Sequence, residues 1–415
     1  MIMTNHSIDA DAVELAKELD GLPLALSTAG AYLNNVAASF IEYLRMYRES
    51  WARLQKTTPT LLSYDRALYS TWAISYTQVQ RQSPTSAILL RLWAYFDNDD
   101  LWFELLREGH SGGPQWFREL TEDMIRFNTV VRVLSDYGLV DVNTTSREGE
   151  AGSRGYSMHG CVHSWTRHVL NEVLDIDMAR LAMRCVGLHV PHDTERGYWL
   201  VQRRLILHAA RCRTMIVDRL STVEGDELIL HHLGDLFLDQ GWHSDAEAMY
   251  ERALRGYEKA WGPEHTSTLN TVNNLGILYK NQGRLSDAEA MYERALRGKE
   301  KAWGLEHTST LDTVNNLGNL YADQGRLSDA EAMYERALQG YEKAISHDQV
   351  DTYIPALNTI QNFAILRAER GRVSEARALY LRCQAGLKVV FGVQHDRYRE
   401  VTSALESLNT AGNVV

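Results

Sequence analysis

No run of apolar residues in this chain of 415 approaches the roughly 18 that a membrane-crossing helix needs. The opening stretch, MIMTNHSIDADAV, has neither the basic start nor the apolar core of a secretory signal. Cysteine is scarce. Cys161, Cys185, Cys212 and Cys383 lie far apart and form no Cys-x-x-Cys pair. Free thiols in a reducing, cytoplasmic compartment are the simplest expectation. Positive charge is short as well: 43 Lys and Arg face 54 Asp and Glu, for a net charge of −11. A nucleic-acid binder needs a basic surface to displace phosphate counterions. Neither nucleic acid nor an anionic membrane is therefore the expected partner.

Catalytic signatures are missing too. The phosphate-binding loop G-x-x-x-x-G-K-[ST] occurs nowhere, nor does a strand ending in paired acids that would hold Mg²⁺. There is no H-E-x-x-H and no G-x-S-x-G elbow. His159 and His163 are four apart, a spacing that puts both on one helical face for zinc, but no third ligand is apparent. The expectation is a protein that is not an enzyme and holds no metal.

What the sequence does contain is a repeat of 42 residues. The blocks starting at Leu233 and Leu275 agree at 33 of 42 positions. A third block starts at Leu317, and a divergent fourth at Phe363 after four extra residues. Repeats of this length are stacked supersecondary units that share a core with their neighbours. Each block reads as two helices. Leu275, Ile277, Leu278 and Tyr279 form the apolar face of the first, and Gly283 supplies its left-handed end. Ser286 with Glu289 reads as a capping box opening the second, echoed by Ser244/Glu247 and Ser328/Glu331; the fourth block has Arg377 instead. Gly276, Ala288 and Ala295 permit close approach, and Tyr279 and Tyr292 fill the space between.

These positions resemble the tetratricopeptide repeat: Leu275, Gly276, Tyr279, Ala288, Tyr292 and Ala295, with Leu317, Gly318, Tyr321, Ala330, Tyr334 and Ala337 as their counterparts. The long period and the WGPEHTST linker resemble the kinesin light chain variety. No sustained heptad run occurs, so a motor-subunit role is not expected. Arg367 and Cys383 depart from the signature, and the fourth unit is expected to be a solvent-facing cap. The resemblance implies that the first helix of each unit lines a concave groove. Pointing into it would be Asn270, Asn273, Asn281, Asp312, Asn315, Asn319, Asp323 and Asn358, together with Asp235, Asp239, Ile277, Gln361 and Glu369. Carboxamides can both donate to and accept from the backbone of an extended peptide, and the carboxylates beside them favour a basic one. A solvated, unoccupied groove would use the same residue types.

The first half is also helical. Val13, Leu15, Ala16 and Leu19 share a face, Gly21 ends that helix, and Pro23 opens another. Helical stretches at 67–79, 84–95, 101–107 and 121–137 precede a strand at 138–142. A polar loop at 143–155, a strand at 155–159 and a helix from Gly160 follow. Helices followed by a hairpin form a winged-helix pattern. Scattered Arg126 and Arg132 give it no basic face, so packing against protein is expected in preference to DNA.

The order GLPLAL, winged helix, Met158-His159-Gly160, repeats resembles the regulatory half of the NB-ARC class of signal-transduction ATPases, the switches of immune receptors and their fungal homologues. Gly160 stands where that family has Asp. QRRLILHAARC, residues 202–212, resembles the family's linker helix. The resemblance implies that Pro23 packs on the adenine of ADP and that His159 reaches its β-phosphate. The family's phosphate loop lies upstream of GLPLAL, so no cofactor is expected unless a nucleotide-binding domain is supplied from elsewhere. The chain is then expected to be the C-terminal part of a larger receptor or a truncated gene product.

The expected architecture is mainly α: a helical ARC/winged-helix region followed by an α-α tetratricopeptide superhelix. Its parts are a GLPLAL remnant at 1–60, the winged helix at 61–171, linker helices at 172–225 and the repeats at 226–410. The expected role is a scaffold or sensor arm that binds a protein or an extended peptide. A free adaptor and a DNA-binding regulator are the alternatives.

Overall fold

The computed structural model describes residues 10–57, 63–143, 152–192, 195, 197–218, 225–345 and 347–411. The chain divides into two compact units, Met1–Ser221 and Thr222–Val415. Both are built from helices, so the protein is mainly α.

The first unit runs α1 (Ala10–Glu18), α2 (Pro23–Asn35), α3 (Phe40–Thr57), α4 (Ser63–Gln82), α5 (Pro84–Trp93), α6 (Phe103–Arg107), α7 (Gln115–Leu120) and α8 (Met124–Asp136). A ribbon of β1 (Asp141–Val142) and β2 (Tyr156–Ser157) follows, then α9 (Gly160–Trp165), α10 (Ile176–Leu188) and α11 (Tyr198–Asp218). Local chemistry sets several of the starts. Pro23 occupies the first turn of α2. Ser83, Asp123 and Asp175 cap α5, α8 and α10 by accepting the amide N–H of Ser86, Arg126 and Met178. In the ribbon Asp141 pairs with Ser157 and Val142 with Tyr156, antiparallel, while Leu101 bridges to Tyr156 from the other side. Most of the loop read at 143–155 lies outside the described residues. The core is aromatic: Trp72, Trp93, Trp102 and Trp165 are fully buried. The segments read as separate pieces at 1–60, 61–171 and 172–225 fall together in this unit, up to Ser221.

The second unit is a stack of helix pairs: α12 (Glu227–Asp239) with α13 (His243–Trp261), α14 (Thr266–Asn281) with α15 (Leu285–Trp303), and α16 (Thr308–Asp323) with α17 (Leu327–Ala344). After the short α18 (His347–Val350) come α19 (Ile354–Glu369) with α20 (Val373–Val390), and a last helix, α21 (Asp396–Ala411). Two glycines show why the pattern is so regular. Gly283 has φ of +75°. It lets its own N–H reach Lys280 O (2.9 Å) and the next N–H, of Arg284, reach Tyr279 O (2.8 Å). That pair of bonds satisfies the last carbonyls of α14, and left-handed φ costs other residues roughly 1–2 kcal/mol. Gly276 lies under a ring: a Cβ there would stand 2.6 Å from Tyr292 carbons. The tyrosine therefore fills the hollow that glycine leaves.

Three expectations are corrected. The capping boxes do not form. Helix α15 is capped by Arg284 with no side-chain hydrogen bond, Ser286 lies inside it, and α13 and α17 start the same way at Trp242 and Arg326. Glu289 instead accepts from Gln324 (3.0 Å) and Arg326 (2.8 Å) of the next repeat, as Glu247 does from Gln282 and Arg284. An ion pair and an amide bond to a neighbouring unit displace the reach back to the local backbone. The fourth repeat is not the solvent-facing cap either. Its Phe363, Tyr380, Cys383 and Leu387 are buried together with Val401 and Leu405 of α21, which closes the array. Finally, Arg367 is buried and not solvated: it meets Glu331, Glu335 (2.8 Å) and Glu375 (3.4 Å) and lies over the Phe363 ring. An arginine in the signature tyrosine position thus adds charge pairing to the last interval.

Candidate functional site

The first helices α12, α14, α16 and α19 lie beside one another from repeat to repeat, more closely than the second helices do, so the face they line is the inner one. Most of the asparagines and aspartates singled out in the sequence lie on these helices, but they divide into two sets.

One set is consumed inside the stack, between repeats or between the two helices of one repeat. Asn273 and Asn315 are buried, at 7% and 8% exposure. The Asn273 amide oxygen accepts from Thr313 Oγ1 (3.1 Å) and Asn316 Nδ2 (3.2 Å) of the next repeat, and Asn315 Oδ1 accepts from Asn362 Nδ2 (3.5 Å). In the first repeat His231 takes that place, its Nδ1 lying 3.0 Å from Thr271 Oγ1. Burial lowers the pKa of His231, favouring the neutral ring that such a contact suits. Asp312 accepts from the Tyr341 hydroxyl, and Asn358 accepts from Arg397. Asp235 accepts from Tyr250 OH (2.6 Å) and Asn274 Nδ2 (2.9 Å). Recurrence of Asn273 and Asn315 therefore marks a seam between units.

The other set faces outward. Asn270 and Asn281 are exposed on α14, Asn270 taking only a long 3.5 Å contact from Ser309 Oγ. Asn319 and Asp323 of α16 line a cavity of about 310 Å³ with Lys280, Ala322, Tyr334, Asn362, Ile365, Leu366 and Glu369. Sequence reasoning missed Lys280 and Ala322, although their positions correspond one repeat apart.

Substituting the buried seam is expected to act on stability. Asn273→Ala strands the Asn316 amide and should lower unfolding free energy by about 1–3 kcal/mol, whereas exposed Asn270→Ala should stay within about 0.5 kcal/mol. Urea midpoints of the two variants measure this. Equal midpoints would remove the seam as a structural device.

Comparison with known proteins agrees with the helix pairing. Family models of the tetratricopeptide repeat match residues 226–301 and 310–351. These segments are tetratricopeptide repeats. A nucleotide-binding leucine-rich repeat (NLR)-like protein of Hyaloscypha variabilis is 25% identical over 283 residues, covering 64% of this chain and 26% of that protein. The chain thus spans about a quarter of the length of that relative. Among solved structures, a Podosopora anserina putative kinesin light chain with nearly identical TPR-like repeats is 20% identical, with a TM-score of 0.39 over 46% of this chain and 90% of that one. NprR in complex with its cognate peptide NprX is 17% identical, with a TM-score of 0.40 over 60% of this chain and 66% of that one.

Ahead of the tetratricopeptide repeats, Pro23 and His159 sit on different elements. Pro23 is exposed at the first turn of α2. His159 is exposed and caps α9, its Nδ1 accepting the Cys161 N–H at 3.2 Å. His265, His307 and His395 do the same at Ser267, Ser309 and Arg397, each packing its ring on the preceding Trp261, Trp303 or Phe391. No hydrogen bond among the described residues joins Pro23 to His159. His163 is buried with Nε2 3.0 Å from Phe96 O, so the two histidines do not present a shared metal face. Among the described residues no helix is long and apolar enough to cross a membrane.

Proposed function

We propose that this chain is the protein-binding arm of an NB-ARC-type signalling protein. Its tetratricopeptide repeats would engage a protein or an extended peptide along the inner face, and the first unit would relay that occupancy. The observation carrying the reading is that the inner face keeps exposed amides and carboxylates beside a cavity after the stacking seam has been satisfied. Carboxylates along it favour a basic ligand. Nothing in the buried seam needs such a surface, and repeat arrays use their inner curvature to bind.

In this reading residues 61–171 of the first unit form a winged helix serving as a relay. On α8 Arg126 pairs with Glu122 at 2.5 Å, which leaves exposed Arg132 without a cluster of basic neighbours on that helix and favours a protein role over DNA. We further propose that nucleotide is held only together with a phosphate-loop domain, and that Pro23 and His159 contribute to it only then. Similarity to the NLR-like relative supports the signalling context.

The test uses the full chain. Peptides of 12 residues are selected from a phage-displayed random library, and a synthetic winner is added during amide hydrogen exchange. Slowed exchange confined to α14, α16 and α19 is expected. Protection only on α13, α15 and α17, or failure to select any peptide, would overturn the reading. In parallel, calorimetric titration with ADP should show nothing tighter than about millimolar, as expected for a site without its phosphate loop.

A further inference from the structure

One inner-face carboxylate lacks the counter-ion that its counterpart one repeat earlier has. Lys280, near the end of α14, reaches Asp323 of α16 at 3.0 Å. One repeat on, the corresponding positions hold Ala322 and Glu369. At the lysine position the four repeats carry Leu238, Lys280, Ala322 and Ala368, and among the described residues Glu369 is exposed and has no ion pair. The cavity of about 310 Å³ opens at this place. Its apolar wall is Leu366 with Ile365, which is 41% exposed, high for a large aliphatic side chain. Two amides line it. Asn319 uses its oxygen to accept from Tyr334 OH (2.8 Å), which leaves its NH₂ to donate. Asn362 uses its NH₂ towards Asn315 (3.5 Å), which leaves its oxygen to accept.

We propose that this cavity is a subsite for one cationic side chain, arginine or lysine, of an extended protein segment, whose charge takes the place of the lysine that Ala322 lacks. The proposal rests on the reading of the inner face as a peptide-binding surface. The aliphatic stem of the incoming residue lies on Ile365 and Leu366, as long charged side chains do on apolar surface. Its head meets Glu369, with Asp323 already neutralised by Lys280 on the far side. The Asn319 NH₂ and the Asn362 oxygen take the carbonyl and amide N–H of the bound backbone, so its direction is set. An acidic residue in the same place meets Glu369 and is rejected.

The same peptide selection against the full chain tests this. Winning peptides should carry Arg or Lys at one recurring position. By fluorescence anisotropy, a labelled winner should bind Glu369→Gln about tenfold more weakly than the unaltered protein, the scale of one partly screened charge pair. Ala322→Lys should weaken it as much, because the new lysine occupies Glu369 from within. Replacing the recurring cation by Gln in the peptide should abolish the difference among the three proteins. Glu369 is exposed and Ala322 is half-buried against the core of the last repeats, so matching circular dichroism and urea midpoints are required of both variants to establish that they fold. Winners without a recurring cation, or winners indifferent to either substitution, overturn the subsite while leaving the peptide groove standing. If no peptide is selected, subsite and groove fall together.

Discussion

Replacing Arg204 by Ala should cost the first unit about 3–5 kcal/mol, the scale on which half of a buried ion pair is lost. The Arg204 side chain, on α11, is only 6% exposed and grips Asp100 with two parallel bonds, Nε to Oδ2 and Nη2 to Oδ1, both 2.8 Å. Its Nη2 also donates to Ser153 O (3.2 Å), and the guanidinium lies 4.0 Å from the Trp102 ring centroid. Asp100 needs this grip twice over. Its carboxylate is mostly covered, and its backbone is left-handed, with φ of +52°. Gly155 faces it because a Cβ there would stand 2.2 Å from Asp100 Oδ1.

The bond network runs on from there. Asp100 O accepts from the ring of His208 at 3.1 Å, and His208 Nδ1 accepts the Asp97 N–H at 3.2 Å. Leu101 exchanges backbone bonds with Tyr156, both 2.7 Å, and Asn98 brackets Met158, whose neighbour His159 opens α9. Hydrogen exchange at 97–101 and 155–158 should therefore quicken in Arg204→Ala, while exchange in the repeats is unchanged. Arg204→Lys keeps the charge but not the fork and should recover only part of the loss. Unaltered exchange at 97–101 would mean that α11 does not fasten the ribbon and carries no relay to His159.

How much of this could be read beforehand depends on whether a residue's partner is local. Gly283 and Pro23 act on their own backbone, so their roles were legible from a single stretch of chain. Much of the helical order of the first unit was legible for the same reason, down to the ribbon after α8, although neither α3 nor the six-residue α7 was foreseen. Glu289 and Asn273 act on residues of the next repeat, 35 to 43 positions away. A serine three residues before a glutamate suggests a local capping box, but the same glutamate serves better between units. Near-duplicate repeats deepen the ambiguity, because stacking residues and ligand-binding residues recur in the same register. What separates them is imperfection: Lys280 against Ala322, Tyr321 against Arg367. Those mismatches were visible in the sequence, and only the geometry gives them partners.

Acidification should weaken the first unit before the repeats. Burial pushes the pKa of His163 down to about 4, while its bond to Phe96 O partly opposes the shift. Burial likewise lowers His189 to about 4, beside the Trp102 ring. His208, fully buried, is lowered in the same sense. In the unfolded chain each titrates near about 6.5. Between these values the unfolded state binds protons that the folded state refuses, so stability rises with pH across the window from about 4 to 6.5 and is lost as pH falls through it. Each histidine contributes up to roughly 1.4 kcal/mol per pH unit there, so His163 and His189 together are worth several kcal/mol between pH 7 and 4.5. Above about 7 both states are neutral and these residues add no slope. In the repeats burial lowers His231. Urea unfolding followed from pH 7.5 to 4.5, with hydrogen exchange to locate the loss, should show the first unit loosening first. His163→Gln can still donate to Phe96 O but cannot charge in this range, and it should flatten the slope by about one proton. A variant as acid-sensitive as the unaltered chain would assign the slope to carboxylates instead.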